Sequence, residues 1–172
     1  MNKPTGKTTP GEKIIFRWRF IALPVAVLLL ALALTAFFYG RLPAEAAYHF
    51  ENGTADRWMG RGALVAWLVL PQFFLTLLAW ATVSGATFIS NRFQPVNRGW
   101  VERILMLMGN MIAQPQIILC FAMLDIFSYN AYQIHLLPLW VFAVIVIGVG
   151  GILLGIFFTR AIRLVRGKGS AG

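Results

Sequence analysis

Residues 41–61, RLPAEAAYHFENGTADRWMGR, hold most of the side chains in this sequence that could carry chemistry. The segment has six charged side chains and His49, one of only two histidines in the chain. An imidazole combined with carboxylates can bind zinc or manganese ions. The other side chains that could complete such a site are Glu51, Asp56, Asp125 and His135. The chain has no HxxxH or HExxH spacing, so we predict no metal site and no cofactor.

The same segment has the composition of a binding surface. Aromatic rings beside a few polar groups are typical of contacts with a peptide or a lipid. The side chains that fit this alternative are Tyr48, His49, Phe50 and Trp58. The histidine could also respond to pH, since imidazole titrates near neutrality.

A structural role is the third alternative, in which the segment is a re-entrant or interfacial cap. Leu42-Pro43 favours an extended chain, because a proline restricts the residue before it. Asn52-Gly53 is a strong turn signal. We expect Asp56 near the start of the next helix, where the helix dipole favours a carboxylate. Two side chains suited to a membrane interface follow it, Arg57 and Trp58.

Known catalytic arrangements are missing from the sequence. We find no usable Ser/His/Asp arrangement, no glycine-rich phosphate loop and no dinucleotide fingerprint. A transport path would normally contain more intramembrane charge than this chain has. We therefore predict that the protein is not an enzyme and has no catalytic residues.

The composition is that of a membrane protein. Hydrophobic residues make up 59% of the 172 residues, charged residues make up only 12%, and the mean hydropathy is +0.72. A soluble domain carries about a quarter charged residues, so a soluble fold of this chain would expose large apolar surfaces to water. A bilayer removes that cost. The single Cys120 lies in an apolar run, which excludes a disulfide framework.

Four apolar runs can cross a hydrocarbon core of about 30 Å as helices rising about 1.5 Å per residue. The sequence therefore predicts an all-α integral membrane protein with four transmembrane helices. The polar ends of the chain are predicted to be disordered tails. A cleaved signal peptide is the alternative for the first run, but that run exceeds the usual length of about 7–15 residues. The predicted spans are 20–39, 63–89, 104–127 and 139–159, in one domain of residues 16–166 between tails at 1–15 and 167–172.

The distribution of basic residues predicts the orientation. Twelve of the 15 Lys and Arg residues lie before the first span, between the second and third, or after the last. The other three lie in residues 41–61. The positive-inside rule then places both termini in the cytoplasm (N-in/C-in) of a bacterial cytoplasmic membrane, with residues 41–61 as a structured extracytoplasmic loop. This topology explains the net charge of +9, and no nucleic-acid partner is predicted.

Several polar side chains fall inside the predicted spans. Asn110 and Gln114 share a helical face with Asp125 and are predicted to hydrogen-bond across helices. Asp125 lies near the outer end of its span and is predicted to be interfacial. Pro115 is predicted to kink that span near its middle. In the second span a polar stripe is predicted to face neighbouring helices, at Gln72, Thr76, Val83 and Thr87.

The last run contains a GxxxG pattern. Gly151 and Gly155 form it, and Gly148 lies about one turn earlier. Such glycines let another helix approach closely. We expect them to pack inside the bundle, with a homo-oligomer as the alternative.

Residues 20–75 carry a spaced motif as well. Its parts are Leu42-Pro43, His49-Phe50, Gly53, Asp56-Arg57-Trp58 and Arg61, with Pro71 early in the second span. The pattern resembles the LP…HF…G…DRW signature of a bacterial membrane domain of unknown function, as found at the N-terminus of SdpI-type bacteriocin immunity proteins. The chain departs from that pattern at Ala47-Tyr48 and Ala55, where the signature has proline.

The resemblance implies an integral membrane protein of that domain family. As a function it implies envelope sensing or bacteriocin immunity through the loop at residues 41–61. The alternative is a non-catalytic structural partner subunit of a membrane complex. The expected partners are the lipid bilayer and a peptide or another membrane protein.

Overall fold

The computed structural model describes residues 13–51, 54–93 and 98–169, which form five helices and one two-stranded sheet. A single 3-10 turn at Trp18–Phe20 precedes the first helix. The elements in chain order are α1 (Ala22–Phe38), β1 (Glu45–Glu51), β2 (Thr54–Gly60), α2 (Arg61–Phe93), α3 (Arg98–Met111), α4 (Ala113–Tyr132) and α5 (Leu139–Gly169). The chain is mostly helical as predicted, but the two strands correct the all-α prediction.

Three stretches of the described residues are long and apolar enough to cross a membrane, Arg61–Phe93, Gly99–Tyr132 and Leu139–Phe157. Helices are suited to the hydrocarbon core of a bilayer, because every internal backbone N–H and C=O group has a hydrogen-bond partner within the same helix. α1 is also apolar, but its 17 residues give a length of only about 26 Å. A fourth span at α1 and the orientation of the chain stay predictions.

The predicted third span is divided at Ile112, between α3 and α4. Pro115 explains the division, because a proline ring clashes with the carbonyl four residues earlier, here that of Met111 at the end of α3. The predicted kink therefore lies at a helix boundary, with the proline in the first turn of α4. Ile112 keeps helical dihedral angles, φ −64° and ψ −17°, so one helix follows the other almost without interruption.

Two clusters of buried apolar side chains fill the bundle. The first lies where α1, α2 and α4 meet the strands, at what we call the hairpin end, and includes Phe38, Leu64, Met123 and Phe127. The second joins the N-terminal segment to α2 and α3 at the opposite end, and includes Ile14, Phe20, Val83 and Leu105. The strands therefore rest on one of the two packed ends of the bundle.

Gln72 of α2 and Gln116 of α4 form a buried pair. Each side-chain Nε2 donates to the other residue's backbone carbonyl oxygen at 3.0 Å, and that of Gln116 also donates to Thr76 Oγ1 at 2.8 Å. Both glutamines are fully buried, as are Val83 and, nearly so, Thr87. The prediction that this stripe of α2 faces its neighbours is confirmed.

Asparagine side chains hold chain segments to the helices. Asn110 Oδ1 accepts from the N–H of Leu23 at 2.9 Å, so α3 caps the first turn of α1. Asn91 Oδ1 accepts from the Ile14 N–H at 2.7 Å, and its Nδ2 donates to the Ile14 carbonyl oxygen at 2.9 Å. The N-terminal segment is thereby fixed to the end of α2.

α5 packs on α4, and its contact uses a glycine other than those predicted. Gly150 is buried against Gln114, whose Nε2 would lie 1.4 Å from a Cβ built on the glycine. Phe121 of α4 stacks on Phe142 of α5 at 3.9 Å between ring centroids. A Cβ on any of the predicted glycines would meet no atom of the described residues within 4 Å, which corrects the expected bundle packing of Gly148, Gly151 and Gly155.

Candidate functional site

Residues 41–61 form an antiparallel hairpin rather than an irregular loop. β1 pairs with β2 from Glu45 opposite Gly60 to Glu51 opposite Thr54. The connecting residues, Asn52 and the motif residue Gly53, lie outside the described residues, but an Asn-Gly pair between two strands is a strong hairpin signal. At the end of the strands, Thr54 Oγ1 donates to the carbonyl oxygen of Glu51 at 2.8 Å.

His49 and Asp56 meet across the hairpin. The pairing is irregular around His49, which lies opposite Arg57, and there His49 Nδ1 lies 2.6 Å from Asp56 Oδ1. The hydrogen bond to His49 lowers the pKa of the Asp56 carboxyl, although some desolvation opposes it. The expectation that Asp56 lies near the start of the next helix, where the helix dipole would favour its carboxylate, is wrong, because Asp56 belongs to β2 and α2 begins only at Arg61.

Arg61 fixes the base of the hairpin to the end of α1. Its backbone N–H donates to the carbonyl oxygen of Ala44 at 2.9 Å. Its Nη1 donates to the carbonyl oxygens of Tyr39 at 3.3 Å and Leu42 at 3.4 Å. The guanidinium also lies 4.6 Å from the centre of the Tyr39 ring, a cation–π distance. The motif's basic position therefore has a structural use.

Asn130 joins the hairpin to α4. Its Oδ1 accepts from the Ala47 N–H and its Nδ2 donates to the Ala47 carbonyl oxygen, both at 2.7 Å. Ala46 and Ala47 are buried on this side, so β1 packs against the bundle while β2 faces outward. The position of the hairpin on the bundle is therefore set by backbone hydrogen bonds as well as by apolar contact.

A second His–Asp pair lies on the connection between α4 and α5. Asp125 Oδ1 accepts from the Leu136 N–H at 2.7 Å, and its Oδ2 lies 3.2 Å from His135 Nδ1. Gln133, with a left-handed φ of 58°, ends α4 and turns the connection. Asp125 thus holds the connection to its own helix. Residues 128–132 follow the predicted third span and form the last turn of α4.

Aromatic rings bring the two pairs to one face. The Phe50 ring meets those of Tyr129 and His135 edge to face, with centroids 4.6 and 4.8 Å away. Tyr48 meets Trp67 of α2 at 6.5 Å in a similar geometry. Such edge-to-face contacts are favourable beyond the burial of area. Tyr48 and Phe50, which flank His49 in β1, therefore pack the hairpin against α2, the end of α4 and the connection that follows α4.

A cavity of about 590 Å³ lies between β1, the outer part of α4 and the connection. His49, Asp125 and His135 line it together with Phe50, Phe121 and Leu136. Each imidazole meets its carboxylate through Nδ1, an arrangement that orients the ring and leaves Nε2 for another partner. The cavity can therefore offer aromatic surface, two oriented imidazoles and negative charge to a ligand.

No group of three or more His, Cys, Asp or Glu side chains that could hold a metal ion occurs within the described residues. Both histidines and both aspartates of the chain are engaged as two separate hydrogen-bonded pairs. The metal alternative combines His49 and Asp56 or Glu51 with Asp125 and His135, and this geometry does not support it.

The remaining predicted residues divide into buried and exposed positions. Leu42 is buried in the core, whereas Pro43 and Arg57 are exposed and Trp58 is 56% exposed on β2. The intramembrane residues do not share one partner, because Asn110 caps α1, Gln114 meets Gly150 and Asp125 meets His135. Of the predicted site residues, the structure brings together His49, Phe50, Asp56 and Asp125 at the hairpin end.

Sequence reasoning missed Asn130 and Tyr129 as site residues. The available signal was that the third apolar run continues with helical spacing past Asp125, which places an amide and an aromatic ring on its outer turn. Their partners on β1 could not be identified before the hairpin was known.

Comparisons with known proteins give one match. The sequence model of a family described as Domain of unknown function (DUF1648) matches residues 26–71, less than half of the chain. The matched region runs from within α1, through both strands, to Pro71 in α2. No curated protein and no solved structure matches the chain. The segment that carries the hairpin is therefore similar to a domain of unknown function.

Proposed function

We propose that this chain is a multi-pass protein of a bacterial cytoplasmic membrane that recognises a peptide or envelope signal with its extracytoplasmic hairpin. The observation that carries the proposal is the cavity at the hairpin end, which is lined by aromatic rings, by both histidines and by Asp125. Its volume of about 590 Å³ falls in the range of about 300–1,000 Å³ typical of ligand pockets. Both termini lie in the cytoplasm in this proposal, as the basic residues predict.

The chemistry of the cavity favours a ligand with a cationic or hydrogen-bonding group beside an apolar one. Asp125 supplies negative charge, and the oriented imidazoles supply or accept hydrogen bonds. Phe50 and Phe121 supply ring surface. A peptide segment with a basic and an aromatic side chain satisfies both requirements, as a bacteriocin-like toxin peptide would. The suggestion of an immunity-like role comes from the resemblance of residues 20–75 to the motif of SdpI-type immunity proteins, since the family that matches residues 26–71 is of unknown function.

The test is a challenge of cells with peptide toxins encoded near the gene, with and without expression of the protein. We expect survival to depend on the protein and to fall when Phe50→Ala or Asp125→Asn is introduced. Glu45→Gln, an exposed charge change on the same strand outside the cavity, is the matched control and should leave survival unchanged. Equal protection by all variants would exclude the cavity as the recognition site.

A second candidate function is that of a non-catalytic partner subunit, and the exposed surface of α5 favours it. Gly148, Gly151 and Gly155 face away from the rest of the described bundle, and large apolar side chains such as Ile152 and Leu153 are more than half exposed beside them. Small residues on an exposed apolar helix suit close packing with another transmembrane helix. Purification in mild detergent with a stoichiometric membrane protein would favour this function over recognition.

A further inference from the structure

A second cavity, larger than that at the hairpin end, lies between α3 and α5. It encloses about 860 Å³ and is lined almost entirely by apolar side chains from the two helices and the start of α4. Among its polar lining residues are Arg103 on α3, at the end opposite the hairpin, and Gln114 deeper in. α5 contacts α4 where Gly150 lies against Gln114. Towards the end opposite the hairpin, α5 is separated from α3. We call this space the α3–α5 crevice.

The depth of the crevice corresponds to one leaflet of a bilayer. From Arg103 to Gln114 the helical rise is about 16 Å, and half of the hydrocarbon core is about 15 Å. An extended acyl chain matches both the length and the apolar lining of the crevice.

The charge at the mouth indicates which lipid would occupy it. Arg103 makes no ion pair or hydrogen bond with any residue that the structure describes, and its side chain is exposed at the mouth. The neighbouring Glu102 is engaged by Arg19 at 2.6 Å, so the nearest carboxylate points to a different partner. Trp100 lies beside Arg103, and tryptophan is a residue type of the headgroup layer.

We propose that the α3–α5 crevice binds one acyl chain of an anionic phospholipid whose phosphate contacts the Arg103 guanidinium. A guanidinium forms paired, charge-assisted hydrogen bonds with a phosphate, and basic pockets between transmembrane helices bind anionic headgroups. The site is separate from the cavity at the hairpin end, although it rests on the membrane location proposed above.

The experiment is native mass spectrometry of the purified protein in mild detergent, titrated with phosphatidylglycerol or phosphatidylcholine. We expect preferential retention of phosphatidylglycerol, reduced roughly fivefold by Arg103→Gln, since one basic residue near an anionic surface is worth about that factor. Arg103→Lys should retain most of the binding. Arg92→Gln removes a basic residue outside the crevice, in the last turn of α2, and should change nothing.

A further variant tests the acyl-chain part of the site. Val149→Trp places a ring in the crevice and should lower the retention of both lipids while Arg103 is intact. Equal retention of the two lipids, or equal loss in the Arg92 and Arg103 variants, would overturn the proposal, because either result means unspecific lipid contact. Cross-linking of a cysteine at position 149 to a protein would overturn it in favour of a partner helix. Membrane fractionation separately tests the location on which the proposal rests.

Discussion

The side-chain amide of Asn130 forms two hydrogen bonds of 2.7 Å with the backbone of Ala47, one as acceptor and one as donor. It bonds to one residue of β1 much as a neighbouring strand would. Asn130 also donates to the Ile126 carbonyl oxygen at 2.8 Å, which holds the side chain in place on α4. The hairpin and α4 are thus coupled beside the cavity that both of them line.

Replacement of this amide tests the coupling. Asn130→Ala leaves the N–H and carbonyl of a buried residue without partners, at a cost of about 1–3 kcal/mol for each group that stays dry. We expect faster hydrogen exchange at Ala47 and faster proteolysis of the hairpin. Asn91→Ala removes the equivalent pair of bonds to Ile14 at the opposite end, and should loosen the N-terminal segment while the hairpin stays protected.

The Asp56 carboxyl predicts an acid limit for the hairpin. Its pKa lies below the ordinary 3.8, chiefly through the hydrogen bond to His49, so its contribution to stability is present above that value and is lost as the pH falls through the folded pKa. The chain has only two histidines, so NMR of labelled histidine can follow each ring separately. The His49 signal should shift at acid pH as the Asp56 carboxyl becomes protonated. Asp56→Asn should remove this shift, whereas Glu45→Gln should preserve it.

The buried glutamine pair predicts two separable losses of stability. Gln72→Leu removes the Nε2 donor of the Gln116 carbonyl, while the Gln72 carbonyl keeps its bond from Gln116. Gln116→Leu removes the donor of the Gln72 carbonyl and the bond to Thr76. Each single change should destabilise the protein by about 1–3 kcal/mol, because a buried group loses its partner. The double change should cost about the sum, because each side chain bonds a backbone carbonyl that the other substitution keeps. A much smaller loss in a denaturation series of the double variant would contradict this.

We predict that α3 tolerates no side chain at the position of Gly109. A Cβ there would lie 2.1 Å from the carbonyl oxygen of Phe20, a backbone atom that cannot rotate away. Gly109→Ala should therefore lower the unfolding free energy by about 1–3 kcal/mol or more. Gly85→Ala, where the added Cβ meets no atom of the described residues within 4 Å, should be neutral or stabilising by up to about 1 kcal/mol. Thermal unfolding of the two variants in the same detergent gives the comparison.

The proposed topology predicts which side of the membrane the hairpin occupies. A cysteine at Asn52, with Cys120 first replaced by Ala, should react with a membrane-impermeant maleimide in intact spheroplasts. Cys120 is buried, so its replacement is needed mainly to exclude background after opening of the cells. Reaction only in lysed cells would place the hairpin in the cytoplasm and reverse the proposed orientation.

Much of the architecture could be read from the sequence, because it follows from local composition. Apolar runs specify where helices form in a bilayer-like solvent, and the polar stripe through Gln72 specifies which side of α2 faces its neighbours. Pro115 indicated that the helix of the third run is interrupted. The boundary between α3 and α4 lies before the proline itself, because the proline ring clashes with the carbonyl of Met111. The Asn-Gly turn was recognised, but the strands were not predicted, because the segments on either side of it, EAAYHFE and TADRWMG, lack the alternation of apolar and polar residues that indicates a strand.

The sequence by itself determined the class of the protein, the approximate helices and the importance of residues 41–61, since each depends on neighbours along the chain. The tertiary structure alone decided which polar groups meet. Asp56 is seven residues from His49 and 2.6 Å away only because the strands pair, and Asn130 reaches Ala47 across 83 positions. Such pairings depend on how helices and strands pack in three dimensions, and residue type and spacing do not specify that packing.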